Sequence, residues 1–238
     1  MFKLARPEKR QDSLEITYDD SRWTLLEQLR EKAAKLLGVL EQRNIAAIVH
    51  GSIARGDVRA ESDIDVFIPN PPSSFQIETA IEQANILANG RTVIQATPTY
   101  SMKAYIDIGE AITVSFPLMN MRRVEREFYS FSGELNLSEL KLKTRVCGVD
   151  KRLMLIEPTE KGHVESAILG REEQIARILG ISVETVSDRV RALMKRDAVG
   201  RTGVFVKKEL SPDETFEQAL MHLTEENPAV RRKLRSSK

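Results

Sequence analysis

Four residues in one short stretch carry the clearest chemistry in this chain. In HGSIARGDVRAESDIDVFIP (50–69), Gly51 and Ser52 close an apolar run, and eleven residues later Asp63 and Asp65 alternate with Ile64 and Val66. Alternate side chains of a strand share a face, so the aspartates stand together while Ile64 and Val66 enter the core. Adjacent carboxylates repel, and such a pair is favourable mainly when a divalent cation compensates it. Hard oxygen ligands at this spacing suit Mg²⁺, which keeps several waters and also binds substrate phosphates. Glycine permits a sharp turn and a close backbone approach to phosphate, where its amide and the Ser52 hydroxyl can donate. Arg55 and Gly56 extend this donor-rich loop. A charged edge strand that resists aggregation would explain Asp-x-Asp alone, but not the Gly-Ser placed before it.

These residues need elements to hold them. Leu25, Leu26, Leu29, Ala33, Leu36, Leu37 and Leu40 recur at three- and four-residue spacing after Asp20-Ser21, which predicts an amphipathic helix closing near Asn44. IAAIVHG (45–51) and DIDVFIP (63–69) read as strands, and SFQIETAIEQANILANG (74–90) as a second helix stopped by Gly90. RTVIQATP, KAYIDIG and AITVSFP are strand-like, the last two forming a hairpin, and the charged NMRRVEREFY is helical. Helix, strand, strand, helix, strands describes an α/β (α+β) domain with a mixed sheet. The first eighteen residues read as a polar, loosely docked lead.

The pattern resembles the DNA polymerase β-like nucleotidyltransferases, in particular their minimal members. Their signature is an apolar strand ending in Gly-Ser, a short interval, and then Asp-apolar-Asp-apolar. Gly51, Ser52, Asp63 and Asp65 fill those places, and the likeness covers about residues 21–120. The resemblance implies a polymerase β-like palm that moves a nucleoside monophosphate from an NTP, with ATP the expected nucleotide, to an acceptor hydroxyl of nucleic acid or protein. It implies catalysis by two Mg²⁺ ions, or Mn²⁺ in their place, with Asp63 and Asp65 as metal ligands. It also implies a third carboxylate on a nearby strand. Asp107, flanked by Ile106 and Ile108, fits that role as ligand or proton acceptor, and Glu110 is the alternative. Gly51, Ser52 and Arg55 would bind the nucleotide phosphates. Arg55 could equally be a plain surface arginine, whereas His50 reads as a structural strand-end residue and Tyr129 and Phe131 as packing residues rather than contacts to the nucleotide.

Past Gly133 the pattern changes. Residues 136–165, with KLKTR and RLMLIEP, read as a connector with some strand structure between a catalytic domain over 1–135 and a second module over 166–238. REEQIARILGISVETVSDRVRALMKR (171–196) has helix-turn-helix spacing: Ala176 allows close contact, Gly180 turns, and Ser182 caps the second helix. Ile175, Leu179, Val186, Val190 and Leu193 supply its apolar seam. VGRTGVFVKKEL then resembles a wing, so the module is similar to a winged helix. In a major groove, Arg189, Arg191, Lys195, Arg196 and Arg201 would contact bases or phosphates. The same module could instead mediate a homodimer or dock on the catalytic domain. The tail from Thr224 reads as a solvated end.

Bulk properties agree with two modest domains. Of 238 residues, 41% are hydrophobic and 30% charged, and one cysteine, Cys147, excludes an intrachain disulfide. Residues 1–138 carry 16 Lys/Arg against 19 Asp/Glu, and the remainder 20 against 16, so only the second half could favour a polyanion. No signal pattern or membrane-spanning run is present, which suggests a cytoplasmic protein without a membrane partner. A nucleotide-sensing, DNA-binding transcriptional regulator with a weakly active catalytic domain is the competing function.

Overall fold

The computed structural model describes residues 13–200 and 203–236. Strand β1 (Leu14–Thr17) precedes helix α1 (Asp20–Glu41), whose N-cap Asp19 accepts from the Arg22 amide at 2.9 Å. Leu26, Ala33, Leu36, Leu37 and Leu40 line its buried face. There follow β2 (Ile48–His50), the short α2 (Ser52–Arg55), β3 (Ile64–Phe67) and α3 (Ser74–Gln83). Next come β4 (Gly90–Gln95), β5 (Lys103–Asp107), β6 (Ile112–Pro117), α4 (Arg123–Ser132), β7 (Glu134–Leu135) and α5 (Leu137–Lys141). The chain ends with β8 (Gly148–Val149), β9 (Met154–Thr159), β10 (Gly162–Ala167), α6 (Glu172–Leu179), α7 (Val183–Val199), β11 (Val206–Glu209), α8 (Phe216–Glu226) and α9 (Pro228–Arg235).

The result is a mixed α/β fold, as the pattern predicts. Seven strands form one sheet in the order β11-β4-β5-β6-β3-β2-β7, with β3 and β6 parallel and the other pairs antiparallel. Cross-strand register sorts the side chains. Val49, Val66, Val114 and Ile106 form one row on the face that packs into the main core with α1 and α3. The next row, on the opposite face, runs Glu134, His50, Asp65, Thr113, Asp107. One face holds the fold together, and the other carries the polar residues.

Three expectations are corrected. Part of the lead is ordered: β1 pairs antiparallel with β10, from Leu14↔Glu165 to Thr17↔Gly162, in a second sheet of order β1-β10-β9-β8. Tyr18 follows it into the interior, its hydroxyl 2.6 Å from His163 Nδ1. The expected wing does not form. Instead, β11 pairs antiparallel with β4, Val206↔Gln95 to Glu209↔Thr92, and extends the large sheet. An edge strand needs a partner or a cover, and the alternating VFVKKEL segment supplies one. The tail is not a solvated end either. Asn227 caps α9, Pro228 occupies its first turn, and Val230 is fully buried in the main core. The stretch read as a separate module is therefore divided. Residues 206–236 return to the first core, while α6 and α7 pack with Phe131, Val149, Leu153 and Leu155 in a second one.

Among the described residues no helix is long and apolar enough to cross a membrane. If α8 is integral to the first core, truncating Phe216, which is fully buried and edge-on to Phe116 at 5.4 Å, has a large effect. Phe216→Ala is expected to cost about 3–5 kcal/mol in denaturant unfolding. A loss under about 1 kcal/mol would detach α8 from that core.

Candidate functional site

The site is built where β2 ends. Its register with β3 places His50 opposite Asp65, so the chain turns out of the sheet at Gly51 beside the carboxylates. Gly51 adopts φ 78° and ψ −142°, a conformation that glycine tolerates and other residues resist. The Gly51 amide does not face outward as expected; it donates to the Gly133 carbonyl at 2.9 Å. Its carbonyl accepts from the Ala54 and Arg55 amides, which starts α2. Ser52 presents its hydroxyl 3.2 Å from that of Ser62, which in turn accepts from the Arg59 amide, so the Gly-Ser turn is tied to the segment leading into Asp63.

Asp63 is exposed and Asp65 half-buried. Burial raises the Asp65 carboxyl above the ordinary aspartate range, the Asp63 charge raises it further, and Lys151 opposes both. Among the described residues neither aspartate receives a side-chain hydrogen bond or ion pair. Lys151, on the turn before β9, is the cation whose charge acts on Asp65, and its place in the turn-rich connector gave no sequence signal. Beside Asp65 the same sheet face carries aromatic side chains. Tyr105 lies two residues from the Asp107 position, its hydroxyl pushed up to about 12 by burial and by Asp65. Tyr129 stacks on Phe67 with ring centroids 3.7 Å apart, the packing role expected of it. His50 meets Tyr129 edge-on at 4.9 Å, and burial, with Lys103, Arg55 and Lys151 nearby, pushes its imidazole down to about 3. His50 is therefore neutral at physiological pH and serves as structure.

Lys103 is a site residue that sequence reasoning missed. It donates to the Tyr129 hydroxyl at 2.8 Å and lies over that ring, and burial pushes its ammonium down to about 8. The KAYID alternation held the signal: Lys103, Tyr105 and Asp107 share the Asp65 face.

Two expected residues stand differently. Arg55 is 5% exposed, its guanidinium turned inward to the Ser132 carbonyl at 2.6 Å and to Asp57 at 2.9 Å, so it braces the turn and does not reach outward for phosphate. Asp107 lies in the same sheet row as Asp65 but on the second strand over, with Thr113 between them. At about 4.8 Å per strand the two backbones are roughly 10 Å apart. Asp107 is exposed, and its Oδ1 accepts from the Gly109 amide at 2.8 Å. Glu110 points elsewhere, to Lys32 on α1 at 2.6 Å. No three His, Cys, Asp or Glu residues gather as a metal-binding group among the described residues. Two cavities, of about 550 and 430 Å³, lie away from the aspartates, one beside α3 and one beside α1.

The helix-turn-helix forms as read: Gly180 is left-handed at φ 65°, and the Ser182 side chain caps α7. Its outward presentation does not. Glu127 of α4 accepts from the Ser182 amide at 3.0 Å and the Thr185 hydroxyl at 2.6 Å, sealing the end of α7 that would enter a groove. Arg189, expected to contact nucleic acid, is desolvated and stacked over Phe128 at 4.7 Å. Tyr100 donates to the neighbouring Asp188. Arg191 and Lys195 remain exposed, Arg196 is half-buried, and Arg201 lies outside the described residues. The docking alternative describes α7 better than groove reading does.

Residues 26–112 match the family model of the nucleotidyltransferase domain. The match runs from the middle of α1 to the start of β6 and contains Gly51, Ser52, Asp63, Asp65 and Asp107. Over this stretch the chain is similar to nucleotidyltransferase domains, and that likeness supports nucleotidyl transfer in general. No curated protein matches the chain.

Two outcomes test this geometry. Because burial raises the Asp65 pKa, the folded state holds that proton more tightly than the unfolded chain. Metal-free stability therefore falls as pH rises from the ordinary aspartate value through the raised one. At neutral pH, Asp65→Asn is expected to raise the Tm of the metal-free protein, and a lowered Tm would mean the carboxylate is internally compensated. For Glu127, burial acts upward, but the Ser182 and Thr185 hydrogen bonds prevail and hold its carboxyl down to about 2. The α4–α7 contact is then intact above the ordinary glutamate range and is lost as pH falls toward that value. Glu127→Ala is expected to loosen the first turn of α7 by about 1 kcal/mol in amide exchange at Ser182 and Thr185. Unchanged exchange would show that the contact contributes nothing.

Proposed function

We propose that the chain transfers a nucleoside monophosphate from an NTP, ATP by expectation, to a hydroxyl of a nucleic-acid or protein acceptor. One observation carries the reading. The β2–β3 pairing sets a Gly-Ser turn beside two carboxylates to which no described side chain hydrogen-bonds or ion-pairs. Such a donor set, all oxygen and doubly negative, fits Mg²⁺ or Mn²⁺. Asp63 and Asp65 would hold the ion, and when bound it would offset their charge and that of the triphosphate.

The chain's own residues supply position and proton handling. Ser52, on the turn fixed by Gly51 and braced by Arg55, donates to the terminal phosphates. The acceptor oxygen forms its bond to the α-phosphorus as the bond to pyrophosphate breaks. The hydroxyl proton passes to a carboxylate on the same face, for which Asp107 is the group on the neighbouring strands. Lys151 offsets charge at the mouth, and Lys103 with Tyr105 and Tyr129 keeps water from the Asp65 side.

Incubation with α-labelled ATP, Mg²⁺ and total cellular RNA, DNA or protein tests the reading. Label transfer is expected, reduced on the order of 10²–10³-fold in Asp65→Ala. Saturable nucleotide binding with no transfer in the wild type would favour the nucleotide-sensing regulator instead.

A further inference from the structure

Behind the catalytic turn, α1 and α5 leave a cavity of about 430 Å³, lined by Trp23, Leu26, Arg30, Ala34, Leu140 and Arg145 among others. Its size is that of a small-molecule site, typically about 300–1,000 Å³. Arg30 is only 8% exposed, and its Nε and Nη2 donate to the Ile53 and Ala54 carbonyls, each at 3.0 Å. No described residue accepts from its Nη1. A buried guanidinium ordinarily answers a carboxylate, yet among the described residues none pairs with Arg30.

The charge that Arg30 feels most is another guanidinium. Arg145 lies over the Trp23 ring at 4.8 Å and donates through Nη1 to the Gly162 carbonyl at 2.7 Å and through Nη2 to the Thr159 carbonyl. It too has no carboxylate partner among the described residues. Burial and then Arg145 push Arg30 down to about 10, and burial lowers Arg145 as well. The cavity wall carries two acids, both exposed at the rim and neither paired with Arg30 or Arg145: Glu27, held by Lys143 at 2.6 Å, and Glu31, whose charge also acts on Lys143. Two desolvated cations beside a void with Leu26, Ala34 and Leu140 on its walls form a site lacking one anion.

We propose that this cavity is a second ligand site, taking a small organic oxyanion: a carboxylate or phosphate monoester on an apolar body. The oxyanion meets Arg30 and Arg145, and the body rests on Leu26, Ala34 and Leu140. Arg30 also grips the carbonyls of α2, so occupancy is communicated to the Gly51–Ser52 turn. The site is therefore an effector site wired to the catalytic loop.

Trp23 is the chain's one tryptophan, so its fluorescence reports this cavity alone. Titration of the full chain with phenyl phosphate and with benzoate separates the two oxyanions, with inorganic phosphate at equal ionic strength as control. A saturable change is expected with at least one aryl probe, absent in Ala34→Leu, which fills the cavity without touching the Arg30 hydrogen bonds. Arg30→Lys is expected to bind about tenfold more weakly, the loss of one charge-assisted hydrogen bond. Amide exchange over residues 51–56 should slow on binding. A change that does not saturate, or that persists in Ala34→Leu, overturns the site. Saturation with unchanged exchange at 51–56 overturns the link to the turn.

Discussion

The structure depends on a repulsion that the fold sustains. The β2–β3 ladder fixes Asp65 against His50 and beside the Gly51 turn, while Asp63 adds a like charge to a half-buried carboxylate. An aromatic floor of Phe67, Tyr105 and Tyr129 lies on the same face of the sheet as Asp65. The opposite face of the same strands packs Val49, Val66 and Val114 into a large core. One face carries the stability that the other lacks.

The second half of the chain reinforces that division. β11 closes the β4 edge, α8 and α9 complete the main core, and the small sheet with α6 and α7 packs around Phe131 at the end of α4. Helix α4 is the link between the two halves. Its Tyr129 floors the site, and its Glu127 caps the N-terminus of α7. The helix-turn-helix therefore braces the large sheet through α4.

Local signals were read well from the sequence. The Asp20–Glu41 helix, the strands around Gly51 and Asp65, the β5–β6 hairpin and the α6–α7 turn each have their own periodicity or capping residue within reach. Long-range pairings were not. Leu14–Thr17 has a strand's alternation over only four residues, and its partner β10 lies far along the chain. Val206–Glu209 alternates as a wing strand would, and nothing in its composition says that β4 receives it. The same limit governs the site. Asp63, Asp65, Gly51 and Ser52 were legible because one short segment holds them. Lys103 and Lys151 gather only when sheet and connector fold together. Arg55 was misplaced because the sequence does not show that Asp57 and the Ser132 carbonyl turn it inward.

The central claim is that the aspartate pair exists to hold a cation with a nucleoside triphosphate, and anomalous diffraction tests it most directly. Crystals grown with Mn²⁺ and a nonhydrolysable ATP analogue should show a manganese peak bonded to oxygens of both Asp63 and Asp65, with the triphosphate reaching toward Ser52. Manganese bound elsewhere, or nucleotide bound with both carboxylates empty, would contradict the account.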